Sequence, residues 1–174
     1  GGREAVAEVK VQRKRVLGAC QDEDARHFIP CHDKAHVKVT SELRVSVPNG
    51  FVVLSNGELE ESFTPPGKKP WTYHFKLGNP HPSYLLTLVA GEFEEIEENA
   101  RRGAITGKGS QVPLSYLVPK GRLEDGIRTF ARTPDMVAHF GAITGVPYPW
   151  NKYAQVVVSD FICGGMENTP AHTL

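Results

Sequence analysis

Val37-Lys38-Val39-Thr40-Ser41-Glu42-Leu43-Arg44-Val45-Ser46-Val47 decides the fold class of this 174-residue chain. Val37, Val39, Ser41, Leu43, Val45 and Val47 alternate with Lys38, Thr40, Glu42, Arg44 and Ser46. A period of two belongs to a strand with one face buried and one wet. Pro48-Asn49-Gly50 ends the run. Downstream, Phe51 to Leu54 is a second apolar stretch that stops at Asn56-Gly57, a pair that tolerates positive φ and favours a tight turn. Trp71, Tyr73, Phe75 and Leu77 alternate with Thr72, His74 and Lys76, and Tyr84 to Ala90 form another apolar strand closed by Gly91. Five or six strands of antiparallel sheet are therefore expected before residue 96.

Beyond this block the pattern changes. Glu97 to Ser110 is charged and glycine-containing without periodicity, so it is expected to be an exposed loop or junction. The domain reading is accordingly 1–98 as a partial β domain, 99–110 as the junction and 111–174 as the start of a second domain. Leu123, Ile127 and Phe130 recur at helical spacing. Thr133-Pro134 then reads as an N-cap with proline at the first helical position, and Val137 and Phe140 continue the stripe to Gly145. Gln155 to Val158 returns to strand and leads into Asp160-Phe161-Ile162-Cys163-Gly164-Gly165-Met166-Glu167-Asn168.

Composition narrows the function. Twenty Lys plus Arg balance 20 Asp plus Glu, so nothing draws the chain to nucleic acid or anionic lipid. No run approaches the roughly 18 apolar residues of a membrane span, and Gly1 to Lys10 lack the apolar stretch of a signal peptide. Cys20, Cys31 and Cys163 are odd in number and lack Cys-x-x-Cys spacing, which argues against a disulfide framework and favours a reducing, cytoplasmic setting. Cys31 and Cys163 read as buried small apolar residues rather than nucleophiles.

Most candidate motifs fail on chemistry. His32 and His36 have the spacing of a helical zinc pair, but Asp33 stands where the glutamate belongs and an alternating strand follows. Gly103-x-x-x-Gly107-Lys108 is one residue short of a phosphate loop, and Gly109 replaces the magnesium-binding hydroxyl. No Gly-x-Ser-x-Gly elbow occurs. Gly164-Gly165-Met166-Glu167-Asn168 differs from these, because a carboxylate follows two residues without side chains at a strand end. Another backbone can approach there and a cation can meet Glu167. The plain alternative is a strand end with a solvated glutamate.

That pentapeptide resembles the Gly-x-Met-Glu-Asn exopeptidase motif of the aminopeptidase N family of zinc metallopeptidases. The stretch before it, Pro147-Tyr148-Pro149-Trp150-x-Lys152-Tyr153-x-Gln155-x-Val157-x-x-x-Asp160-Phe161, is similar to the family's approach to the motif. Gln21, Ala25-Arg26, Pro30-Cys31, Asp33 and Lys38 resemble the end of its β domain, with Ala35 where relatives usually have proline. Pro48-x-Gly50 to Ser55-Asn56-Gly57, and Pro82-Ser83-Tyr84-Leu85 to Gly91-x-Phe93, resemble strands at family spacing.

The resemblance implies a mainly β chain with some α: an antiparallel β-sandwich or saddle domain, incomplete at its start, followed by the beginning of a thermolysin-like α+β catalytic domain. It implies a zinc aminopeptidase that removes N-terminal residues from peptides. The zinc ligands and general base would lie beyond Leu174, so this piece is expected to bind no metal and to be inactive alone. Substrate recognition is implied for Gln21, Gly164, Gly165, Met166, Glu167 and Asn168, with Glu167 pairing the substrate ammonium and Gln21 accepting a hydrogen bond from it. Arg26 and Asp33 read as a structural pair. The competing expectation is a family-like protein without a working zinc site, serving as an interaction scaffold.

Overall fold

The computed structural model describes residues 4–11, 16–19, 23–63, 71–101, 111–159, 161 and 164–174. Gln21, Cys20 and Cys163 lie outside the described residues. The chain divides into two compact units, residues 1–92 with 165–172, and 93–164 with 173–174.

The first unit contains β1 (Glu4–Lys10), β2 (Val16–Ala19), β3 (Lys38–Val47), β4 (Val52–Ser55), β5 (Glu58–Phe63), β6 (Trp71–Pro82) and β7 (Thr87–Gly91). One sheet has the order β1-β3-β6-β5 and the other β2-β7-β4. The deciding strand behaves as its period requires: Val39, Ser41, Leu43, Val45 and Val47 are buried along β3. With Phe75, the four apolar ones among them meet Val53, Leu88 and Ala90 of the other sheet, and Leu86 just before β7, in one apolar core, the inner faces of a β-sandwich. The opening residues, which the alternation left unassigned, add β1 parallel to β3, so this sheet is mixed.

Asn56-Gly57 is not a hairpin turn. β4 pairs with β7, and β5 pairs with β6, so the corner carries the chain from one sheet to the other. The short-range signal was correct about the bend, with Gly57 at φ +82°, and silent about the partners. Arg26 and Asp33 do pair: Asp33, 6% exposed, accepts from Ser83 Oγ at 2.6 Å and Arg26 N at 3.1 Å, with Arg26 Nε at 3.3 Å. Burial pushes the Asp33 carboxyl up, but the Ser83, Arg26 backbone and Arg26 guanidinium contacts outweigh it and hold it below its usual value. Cys31 is half-buried against the core, and burial, then the Asp33 charge, raise its thiol.

His81, 1% exposed at the end of β6, lies 3.0 Å from Asn79 O through Nδ1 and 3.4 Å from Ser41 Oγ through Nε2. Burial depresses its pKa, and the Asn79 contact opposes this only in part. Because the folded value lies below the unfolded one, the contribution of His81 to stability is complete above about pH 6.5 and is lost as pH falls through the folded value. His172 is depressed by burial in the same direction, and Glu95, raised by partial burial and then by the neighbouring Glu97 charge, acts oppositely. Thermal melts of this chain between pH 7.5 and 5 are expected to show Tm falling with acid. His81→Gln should reduce the pH dependence of stability by up to about 1.4 kcal/mol per pH unit, with a correspondingly shallower fall in Tm, and an unchanged fall would remove His81 as a cause.

The second unit contains β8 (Phe93–Arg101), β9 (Gln111–Pro119), α1 (Leu123–Phe130), α2 (Thr133–Thr144), β10 (Tyr153–Val156) and the end of β11 (Ala171–Thr173). β8 and β9 are antiparallel, β9 and β10 parallel, and Leu174 bonds Val156 and Val158 through its N and O at 2.9 and 2.8 Å. β8 runs on to Arg101, through residues expected to begin a loop, while 102–110 lie outside the described residues. The charge of this stretch hides its alternation: Ala100 is buried and Glu98 accepts from Tyr116 Oη at 3.2 Å, while Glu95, Glu97 and Asn99 face water.

The helices occur where the spacing placed them, and Phe130 and Val137 of the expected stripe are buried, but the rest of that stripe is exposed and small residues take its place. Gly126 and Phe130 of α1, and Thr133, Val137 and Gly141 of α2, are buried, while Ile127 and Phe140 are 51% and 59% exposed. A Cβ on Gly126 would lie 2.8 Å from both Ile96 Cδ1 and Val118 Cγ1, so α1 approaches the sheet through a missing side chain. Thr133 is the first helical residue rather than the cap, which is Arg132. Its side chain bonds Tyr116 instead, whose ring stacks on Phe130 at 4.6 Å. Gly145 ends α2 at φ +69° as expected.

Candidate functional site

The segment Gly164-Gly165-Met166-Glu167-Asn168 follows β10, and residues 165–172 pack with the first unit. Its faces alternate as an extended chain must. Met166 is 6% exposed and Asn168 0%, while Gly164, Gly165 and Glu167 face solvent. Gly164 has φ +69°, the left-handed region that favours glycine, so the chain turns there before extending. Asn168 Nδ2 donates to Leu85 O at 3.3 Å, and Asn168 O accepts from Ala171 N at 2.6 Å across a turn that includes the cis Thr169-Pro170 bond. Thr169 Oγ1 donates to Glu167 O at 3.5 Å. The carboxylate of Glu167 is thus presented outward between two inward-facing neighbours. Its charge is felt at His172, where it opposes the lowering by burial.

The adjoining corner is built from side-chain amides. Asn56, 3% exposed, donates from Nδ2 to Leu85 O at 2.8 Å and to Thr169 O at 2.5 Å, and accepts at Oδ1 from Thr87 N at 2.7 Å. Ser55 Oγ donates to Thr87 O at 2.7 Å. Asn56 reads from the sequence as a turn residue. Its turn propensity was visible, whereas its bond to Thr169, 113 positions away, carries no local signal. Among the residues expected to bind substrate, Gly164, Gly165, Met166, Glu167 and Asn168 form this one segment, and Gln21 lies outside the described residues.

Among the described residues no three His, Cys, Asp or Glu side chains group closely enough to hold a metal ion. His32 and His36 are exposed, and His36 lies in a turn closed from Val37 N to Lys34 O, not on a helix. Among the described residues no helix is long and apolar enough to cross a membrane.

Residues 9–85 match the Peptidase M1 N-terminal domain, the block that forms most of the sandwich. The chain is 28% identical over 146 residues to an aminopeptidase N of Acetobacter pasteurianus, covering 83% of this chain and 38% of the relative. It is 29% identical to the aminopeptidase N of Canis lupus familiaris over 89% of this chain and 16% of the relative. This chain belongs to the M1 aminopeptidase N family. A leukotriene A-4 hydrolase of Xenopus laevis is 34% identical over 158 residues, 88% of this chain and 23% of that protein. The M1 chain spans well under half the length of these relatives. The mainly β architecture and the family's peptidase class thus agree with what the motif and the strand pattern implied.

Proposed function

We propose that the longer protein containing this chain is a zinc-dependent aminopeptidase, and that this chain supplies recognition of the substrate's free N-terminus. One observation carries the reading: Glu167 is an outward carboxylate on an extended segment whose neighbours, Met166 and Asn168, are both buried. A peptide's α-amino group has a pKa of about 7.7 to 8.0 and is mostly ammonium at neutral pH. A carboxylate held on a short rigid stretch pairs with it by charge-assisted hydrogen bonds. Once the ammonium is held, the first peptide bond stands at a set distance from Glu167, and internal bonds have no equivalent handle.

Gly164 and Gly165 leave the backbone beside Glu167 open, so an extended peptide can approach by strand addition. Gln21 is assigned a second hydrogen bond to the same amine. Zinc and the general base are assigned to parts of the protein outside this chain, and the 174 residues alone are expected to show no turnover.

The test is hydrolysis of an amino-acid arylamide and its N-acetylated form by the full-length protein. Turnover of the first with at least about 100-fold preference over the second is expected from loss of a charged hydrogen-bonded pair. Absence of activity in the presence of zinc would overturn the enzyme reading and leave the interaction scaffold in its place.

A further inference from the structure

Asn56 makes three bonds with its buried amide, to two distant stretches of chain: the carbonyl of Leu85 and the N–H of Thr87 in one, and the carbonyl of Thr169 in the other. Asn168 donates to the same Leu85 carbonyl. Two amide side chains therefore converge on one oxygen, and they hold the residue next to Glu167 and the residue two positions beyond it. An asparagine serves here because it carries two donor hydrogens and an acceptor on one planar group. An aspartate at 56 would keep the bond from Thr87 N but would set a negative charge against two carbonyl oxygens. Serine would be too short to span both.

We propose that Asn56 is a positioning residue for Glu167, its bond to Thr169 setting where the carboxylate stands for the substrate amine. The inference rests on the reading of Glu167 as the amine's partner. The lever is short. Thr169 lies two residues from Glu167, with only Asn168 between them to absorb a shift. A displacement of about 1 Å at a positioning group can cost about 100-fold in rate. Asn56 itself faces no solvent, so its effect on the amine must pass through Glu167.

A double-mutant cycle in the full-length protein separates positioning from mere stability. Asn56→Asp is expected to lower kcat/KM on a free-amine arylamide at least about 10-fold, assayed below its melting temperature and normalised to folded protein. In a Glu167→Ala background the same change is expected to cost less than about 2-fold, because the group it positions is gone. Equal factors in the two backgrounds, or wild-type kcat/KM for Asn56→Asp beside a severely impaired Glu167→Ala, would overturn the positioning role alone. If Glu167→Ala is itself as active as wild type, the amine-partner reading beneath it fails. Should Asn56→Asp not fold, Asn56→Ser, uncharged and smaller, is carried through the same cycle with the same criteria.

Discussion

Glu167→Ala in the full-length protein is expected to lower kcat/KM for a free-amine arylamide by about 30-fold to 1,000-fold, the range for losing one partner of a desolvated charge pair. The wild type's refusal of the N-acetylated substrate should shrink by a similar factor, because both changes delete the same contact from opposite sides. Glu167→Gln is the sharper comparison, since it keeps shape and hydrogen-bond acceptance and removes only charge. An intermediate loss is expected for it. Glu167 faces solvent in this chain, so folding should be little affected, and Tm should stay close to the wild-type value. A large fall in Tm together with the lost activity would point to a structural role instead, and unimpaired kcat/KM would remove Glu167 from recognition.

Gly57→Ala is expected to destabilise the first unit by about 3–5 kcal/mol, through two causes that add. The residue has φ +82°, where an L side chain costs about 1–2 kcal/mol. A Cβ there would stand 2.1 Å from Lys76 O, 2.3 Å from Lys76 C and 2.6 Å from Leu77 N. All three are backbone atoms of β6, so relief requires moving a strand paired on both sides rather than rotating a side chain. Gly50 supplies the control. It has φ +90° but nothing within 4 Å of a built Cβ, so Gly50→Ala should cost only about 1–2 kcal/mol. Chemical denaturation of the two variants separates torsional strain from collision, and equal midpoints would show that the contact with β6 does not matter.

The comparison of Gly50 with Gly57 shows how far local sequence reaches. Both follow asparagine and both were legible as bends, since glycine is the residue that accepts positive φ without penalty. Only the packed structure distinguishes a bend in open space from one pressed against another strand. The same holds for the helices. The spacing of Leu123, Ile127 and Phe130 announced α1, but its contact face is centred on Gly126, a residue with no apolar side chain to register in a periodicity.

For the candidate site, the carboxylate after two glycines was readable, because chemistry and backbone freedom are properties of the residues themselves. Its anchoring was not. Asn168 is fully buried with its amide on the carbonyl of Leu85, a partner that comes from far away in the chain.

What the sequence determined by itself is therefore what short-range physics governs. It set the alternating strands, the two helices with the glycine that ends the second, the carboxylate after two glycines at Gly164–Glu167 and, through its motif blocks, the family. Tertiary structure alone decided that β4 and β5 belong to different sheets, that β1 runs parallel to β3, and that Asn56 ties the corner to Thr169. Each of these depends on which distant backbone groups satisfy one another on burial, a global condition that no window of neighbouring residues contains.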